Sequence, residues 1–268
     1  MLDVVFGQAS DVGRVRPHNQ DAAGALAPGL AQESRNRGWV FAVADGIGGP
    51  DVGEVASATA IQVITAEFSR STEAASLESL LPRLIQQANS AVHDEGLKAE
   101  RRGQHMATAI VACALRHDQA VISHIGNCRC YQVRDGTITQ LTRDHTWVSE
   151  QLTLGLITDA EAERSESRHI LTRSLGPEVL VIVDTTSVSL RADDRLVLCT
   201  DGLYGGLYPE DITRITARDK DAETLARELV KYAVEVDGSD NATAQVIHIR
   251  SVEPRRTYRG RLDPLPML

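Results

Sequence analysis

Phe41-Ala42-Val43-Ala44-Asp45-Gly46-Ile47-Gly48-Gly49 is the stretch from which the fold is read. An apolar strand, buried by its composition, ends in an aspartate, and glycines follow at once. The strand fixes the direction of the Asp45 carboxylate. The glycines let backbone carbonyls come close to whatever that carboxylate holds. Arg195-Leu196-Val197-Leu198-Cys199-Thr200-Asp201-Gly202 repeats the grammar. Asp240 precedes Asn241 and a strand from Thr243 to Ile249, and Arg16-Pro17-His18-Asn19-Gln20-Asp21 adds a cation and another carboxylate. One Asp-Gly after a strand is an ordinary turn. Several carboxylates at strand ends, each beside residues that favour close backbone approach, form a pattern.

Working outward, short β-like runs dominate: 3–9, 38–44, 106–115, 119–125, 129–134, 180–189, 194–200 and 243–250. They are rich in Val, Ile, Leu and Thr and are bounded by Gly, Asp or Asn. Arg134-Asp135-Gly136-Thr137 carries a hairpin signal. Apolar residues recur with helical period over 52–69, 77–95 and 221–236. A short helix is expected over 158–164, with Thr158 as cap and Glu161 at the capping-box position. Helices in the middle and late in a strand-rich chain suggest an α+β or layered architecture, not regular βαβ alternation.

The chain has 268 residues, enough for a sizeable core without disulfides or structural zinc. Its 28 Lys and Arg against 37 Asp and Glu give a net charge of -9, which argues against a nucleic-acid binder. No run approaches the roughly 18 apolar residues of a membrane span. The start, MLDVVFGQAS, lacks the features of a signal peptide. Cys113, Cys128, Cys130 and Cys199 form no C-x-x-C pair and read as buried free thiols in a reducing cytoplasm. From Glu253 the chain has three prolines, four arginines and no periodicity. The expected division is therefore a single domain over 1–252 and a flexible Arg/Pro-rich tail over 253–268.

Hard divalent cations take carboxylates, backbone carbonyls and water as ligands. Asp45, Asp201 and Asp240 could supply the first and the Gly46 carbonyl the second. Two ions roughly 3.5–4 Å apart can share a carboxylate and activate a water for in-line displacement at phosphorus. A guanidinium such as Arg16 can hold phosphate oxygens bidentately. The motifs H-E-x-x-H, G-x-S-x-G and G-x-x-x-x-G-K-[ST] are all missing from the sequence. His18 and His145 lie beside candidate motifs and read as solvent-facing or structural.

At these residues the sequence resembles the metal-dependent Ser/Thr protein phosphatases of type 2C in their compact bacterial form. Six motifs occur in the family's order: SDVGRVRPHNQDA (10–22), VADGIGGPDVGEVAS (43–57), ISHIGNCRCYQVRDGTITQLTRDHT (122–146), LTRSLG (171–176), LVLCTDGLY (196–204) and DNATAQVI (240–247). The resemblance implies a four-layer α-β-β-α sandwich, two antiparallel sheets flanked by helices, with the metal centre at one end. It implies that Asp45 bridges two Mn²⁺ or Mg²⁺ ions, that the Gly46 carbonyl binds one, and that Asp201 and Asp240 ligate the other. By the same resemblance Asp21 acts through metal-bound water, Arg16 binds the substrate phosphate, and a metal-bridging hydroxide attacks phosphoserine or phosphothreonine. Residues 144–170, opening with Asp144, His145 and Thr146, match a mobile flap.

Three departures stand out. The family's Gly-Asp-Ser-Arg is here Gly126-Asn127-Cys128-Arg129, so a third metal site shared with Asp201 is expected to be weakened or empty. The usual Gly-Thr-Thr is Ala107-Thr108-Ala109, expected to concern packing. Ile47 stands where some members carry a histidine proposed as general acid. The implied partners are phosphorylated proteins and a cognate Ser/Thr kinase, with no nucleic acid and no membrane span, for a monomer in the cytoplasm. A catalytically weak phosphoprotein-binding module and a small-molecule phosphomonoesterase are the alternatives.

Overall fold

The computed structural model describes residues 2–49, 51–71, 76–100, 105–252, 257–258 and 261–262. In chain order the elements are β1 (Asp3–Asp11), β2 (Asp21–Leu26), α1 (Ala31–Asn36), β3 (Trp39–Gly48), α2 (Val52–Arg70), α3 (Leu77–Glu100), β4 (Met106–Arg116), β5 (Gln119–Ile125), β6 (Arg129–Arg134), β7 (Thr137–Gln140), α4 (Trp147–Thr153) and α5 (Asp159–Glu163). A 3₁₀ turn (Glu166–His169) follows, then β8 (Asp184–Ser189), β9 (Arg195–Cys199), α6 (Asp201–Gly206), α7 (Pro209–Thr216), α8 (Ala222–Val236), β10 (Ala242–Ser251), β11 (Thr257–Tyr258) and β12 (Arg261–Leu262).

Two antiparallel five-stranded sheets carry the fold, in the orders β1-β10-β9-β6-β7 and β2-β3-β4-β5-β8. Because side chains alternate along a strand, β3 feeds two cores at once. Phe41 and Val43 face the other sheet and pack with Val111, Ile122, Leu196, Leu198 and Ile247. Val40, Ala42 and Ala44 face outward onto α2 and α3, with Ile64, Phe68, Leu81 and Ile85. On the far side Val197, Cys199 and Val246 pack beneath α6, α7 and α8, with Leu203, Ile212 and Leu229. The layers are therefore helix, sheet, sheet, helix, as expected. Central strands covered on both faces must be apolar on both, which is why 40–44 and 109–115 are continuous apolar runs. Each large side chain buried there contributes on the order of 2 kcal/mol.

The structure departs from the sequence expectation in several elements. β2, Asp-Ala-Ala-Gly-Ala-Leu, has too little β propensity to be foreseen; pairing with β3 and packing under α2 define it. β3 does not end at Asp45 but runs on to Gly48, because β4 pairs with it as far as Met106. The strand expected over 180–189 begins only at Asp184. The backbone just before it is held by side chains of α3: Gln86 bonds Val179 O and Val181 N, and Asn89 donates to Glu178 O and Val179 O. The short helices α1, α4, α6 and α7 were not expected. The hairpin at 134–137 is present, with Asp135 and Gly136 both at positive φ. The capping box at Thr158 and Glu161 is formed. All four cysteines are buried and unpaired. The tail expected over 253–268 lies outside the described residues except for the paired β11 and β12.

Candidate metal centre and active site

One cleft of about 770 Å³ opens where the ends of the two sheets meet, and Arg16, Asp45, Gly46, Asn127, Asp201 and Asp240 all line it. Asp21 lies behind the cleft lining, directly opposite Asp45 in the β2–β3 register. Residues spread over more than two hundred positions thus converge because each leaves a different strand at the same end. Asp45 is in β3, Asp201 opens α6 just after β9, and Asp240 lies two residues before the start of β10.

The two Asp-Gly pairs are explained by backbone crowding. A Cβ at Gly46 would meet Gly53 O at 2.0 Å and Gln20 O at 2.7 Å, and a Cβ at Gly202 would meet Asn241 O at 2.0 Å. Neighbouring chain passes against both glycines, so no side chain fits. Gly46 N donates to Gln20 O at 3.0 Å, and Thr108 Oγ1 donates to the Asp45 carbonyl at 2.7 Å. Thr108 is also paired through its backbone with Leu175.

The loop carrying Arg16 is pinned by Asn241, whose Nδ2 donates to Val12 O and His18 O and whose Oδ1 accepts from Gln20 N. Arg16 Nη2 lies 2.7 Å from Asp240 Oδ2, and that hydrogen bond raises the guanidinium pKa further. His18 is solvent-exposed. Asp21 Oδ2 accepts from Thr200 Oγ1 at 2.8 Å and Thr243 Oγ1 at 2.7 Å.

Electrostatically the centre is starved of positive charge. Burial pushes the Asp45 carboxyl well above its ordinary value, and the neighbouring Asp201, Asp21 and Asp240 push in the same direction; Arg16 opposes them. Burial likewise lifts Asp21 to about 7, against the two threonine hydrogen bonds and with the help of Asp201 and Asp240. Four carboxylates and a backbone carbonyl, with the Arg16 guanidinium beside them, make an all-oxygen donor set with unbalanced negative charge, which fits a hard divalent cation. The buried Asn127 Oδ1, with no hydrogen-bond partner among the described residues, is a further oxygen on the cleft wall.

The Asn127 amide does something a carboxylate there would not. Its Nδ2 donates to Asp201 Oδ2 at 2.9 Å. An N–H thus faces a carboxylate oxygen at the place where the third cation was expected to be weakly held.

Asp144, His145 and Thr146 are not at the cleft; they anchor the segment 144–170. Asp144 takes the fork of Arg129. His145 bonds Gly126 through its backbone N–H and through its ring, and Thr146 caps α4 and pairs with Leu171. It is the returning end, Arg168, His169 and Leu171, that reaches the cleft, with His169 Nδ1 3.7 Å from Asp201 Oδ2. Sequence reasoning passed over Arg168 and His169, which follow no pattern in ERSESRH, and the Ser239 and Asp237 rim.

His124, His145 and Asp184 lie close enough together to hold a metal ion, but their hydrogen bonding assigns them elsewhere. Gly126 N–H donates to His145 Nδ1 at 3.1 Å. The ring proton of neutral His145 is then on Nε2, which faces Asp184 Oδ2 at 3.2 Å and has no lone pair to offer. Arg173 and Arg143 already neutralise Asp184, at 3.0 and 3.9 Å. This group tethers the base of the 144–170 segment, and His145 is structural.

The protein phosphatase 2C family model matches residues 14–236. A serine/threonine phosphatase, stp, of Listeria monocytogenes is 31% identical over 257 residues, covering 94% of this chain and 96% of that protein. The crystal structure of the Mycobacterium tuberculosis serine/threonine phosphatase PstP/Ppp superposes with a TM-score of 0.82 at 29% identity, over 93% of this chain and all of that one. The catalytic domain of PstP in complex with two manganese ions gives 0.79 at 30% identity, over 94% and 100%.

Proposed function

Since this chain belongs to the protein phosphatase 2C family, we propose that its acidic cleft is the active site of a divalent-metal-dependent serine/threonine protein phosphatase. The chain is a phosphoprotein phosphatase; the residues that carry the chemistry are our assignment. The observation that carries it is the crowding of Asp21, Asp45, Asp201 and Asp240 with Arg16 as the cation among them.

In this reading Asp45, the Gly46 carbonyl, Asp201 and Asp240 hold two Mn²⁺ or Mg²⁺ ions, with Asp21 behind them. Bound there, a divalent cation neutralises phosphate oxygens and makes water a nucleophile at neutral pH. The chain itself binds, orients and shields. Arg16, half-exposed at the cleft mouth, offers its fork to the phosphate oxygens. Asn241 keeps the Arg16 loop in place. Thr200 and Thr243 fix the rotation of Asp21. Ile47, at the cleft, has no proton to give, so the leaving alkoxide takes its proton from solvent. The amide of Asn127 supports the expectation that a third cation is weakly held.

The retained Asp45, Asp201 and Asp240 argue against a purely phosphoprotein-binding module. No helix among the described residues is long and apolar enough to cross a membrane. The four buried free thiols suit a reducing cytoplasm. We read the chain as a monomer acting on proteins that a cognate Ser/Thr kinase phosphorylates; light scattering and a phosphoproteome of a deletion strain test these.

The decisive assay is hydrolysis of p-nitrophenyl phosphate and of phosphothreonine peptides by metal-stripped protein with and without Mn²⁺. Activity is expected only with metal and is expected to stop with EDTA. Asp45→Asn is expected to abolish it; full rate in that variant would sink the assignment.

A further inference from the structure

The hydrogen-bond chain that reaches Asp201 continues well beyond Asn127. Asn127 sits in the turn between β5 and β6, buried to 4% exposure. Its Nδ2 donates to Asp201 Oδ2 at 2.9 Å, and its backbone carbonyl accepts from Tyr204 Oη at 3.0 Å. Asp201 and Tyr204 are one turn apart on α6, so their side chains share a face. The turn is therefore stitched to α6 at both ends, once through the carboxylate and once through the phenol.

Tyr204 is in turn clamped. The Arg129 guanidinium carbon lies 3.5 Å from the centre of the Tyr204 ring, a cation–π stack. The same guanidinium takes Asp144 in a fork, Nη2 to Oδ2 at 2.6 Å and Nε to Oδ1 at 3.0 Å, and donates from Nη1 to Tyr131 Oη at 2.9 Å. Two side chains thus hold Arg129, and Arg129 holds the ring of Tyr204.

We propose that Tyr204, clamped by Arg129, is a positioning residue for Asp201, acting through Asn127 to hold the carboxylate at the angle that metal binding needs. The proposal rests on Asp201 being a metal ligand. α6 has six residues and opens on Asp201, so no earlier turn of the helix packs against that side chain. The Asn127 amide occupies one oxygen of Asp201 and leaves the other directed by default. That amide stays in reach only while the turn is tied down, and the tie on the α6 side is the Tyr204 hydroxyl. Partners standing behind a metal ligand are commonly worth 10- to 100-fold in metal affinity. One step further back, about tenfold is expected.

The test is calorimetric Mn²⁺ titration of metal-stripped wild type, Asp201→Asn, Tyr204→Phe, Asn127→Ala and the Tyr204→Phe/Asn127→Ala double variant, with a thermal melt of each. Tyr204→Phe keeps the ring under Arg129 and loses the hydroxyl. It is expected to weaken Mn²⁺ binding about tenfold with little change in the melt, and excess Mn²⁺ is expected to restore its turnover. In the Asn127→Ala background the same change is expected to do nothing further, because the relay is already cut. Mn²⁺ affinity within twofold of wild type in Tyr204→Phe overturns the proposal, and so does a double variant whose loss is the product of the two single losses. If instead Asp201→Asn binds Mn²⁺ as wild type does, the ligand assignment itself fails and takes this inference with it.

Discussion

Asp21 gives the clearest quantitative handle on the centre. Its carboxyl lies behind the cleft, and burial moves its pKa from an ordinary 3.8 to about 7. A carboxyl with a folded-state pKa above its unfolded one stabilises the fold while it is protonated. That contribution is present at low pH and is lost as pH rises from 3.8 towards 7, because the unfolded chain has released the proton and the folded chain has not. The slope is at most about 1.4 kcal/mol per pH unit for one proton, so from pH 5 to 7 the loss is on the order of 2–3 kcal/mol. His124 and His145, with pKa values lowered by burial, act in the opposite sense and lose stability as pH falls. The measurement must cancel them, and Asp21→Asn does so. The amide keeps an oxygen for the Thr200 and Thr243 hydroxyls but cannot ionise. Urea unfolding of metal-stripped wild type and variant at pH 5, 6 and 7 is expected to show the wild type losing about 2–3 kcal/mol relative to the variant. Saturating Mn²⁺ is expected to stabilise wild type more at pH 7 than at pH 5, since cation and proton compete for the same carboxylates. A difference between the two proteins that stays flat with pH, or that favours the wild type as pH rises, would refute the reasoning.

Two further expectations follow from charge placement. Asn127→Asp puts a second carboxylate beside Asp201 in place of the amide donor, so calorimetry is expected to gain a third, weaker Mn²⁺; unchanged stoichiometry counts against the reading of that position. Asp194, 1% exposed, is held by the fork of Arg134 with Gln132 and the Arg191 N–H beside it. Arg134→Ala leaves that buried charge without its cation and is expected to cost about 3 kcal/mol in urea unfolding, whereas a loss under 1 kcal/mol would mean that the remaining donors suffice.

The parts of the molecule legible in the sequence are those where one local cause dominates. Residues 40–44 and 109–115 are apolar on both faces because helices and a second sheet cover them, so their strands stand out. Asp-Gly at 45–46 and 201–202 stands out because a neighbouring backbone passes within reach of a Cβ. β2 is illegible for the opposite reason. Ala22, Ala23, Gly24 and Ala25 have little preference of their own, and pairing with β3 decides their state. The run 180–183 misleads, because its continuous apolar residues mimic a buried strand while Gln86 and Asn89 of α3 engage the backbone at 178–181. The site divides along the same line. Asp45, Asp201 and Asp240 announce themselves at strand ends, but Arg168 and His169 reach the cleft only because the 144–170 segment returns beside its start at Thr146 and Leu171.

That division bears on why the centre is built as it is. Each carboxylate comes from a different strand or strand end, so no local stretch can adjust to relieve their repulsion. Asp45 is fixed by β2 and β4 on either side, and its own carbonyl is held by Thr108. A site assembled this rigidly destabilises the metal-free fold and returns that energy when cations bind, so metal affinity and folding stability are one linked quantity. The side chains that set the geometry need not touch the metal. Arg129 and Asp144 form an ion pair at the base of the 144–170 segment, and through Tyr204 and Asn127 the same pair reaches Asp201. The anchoring of that segment and the orientation of the Asp201 carboxylate therefore share one set of contacts, and a substitution that loosens the first is expected to disturb the second.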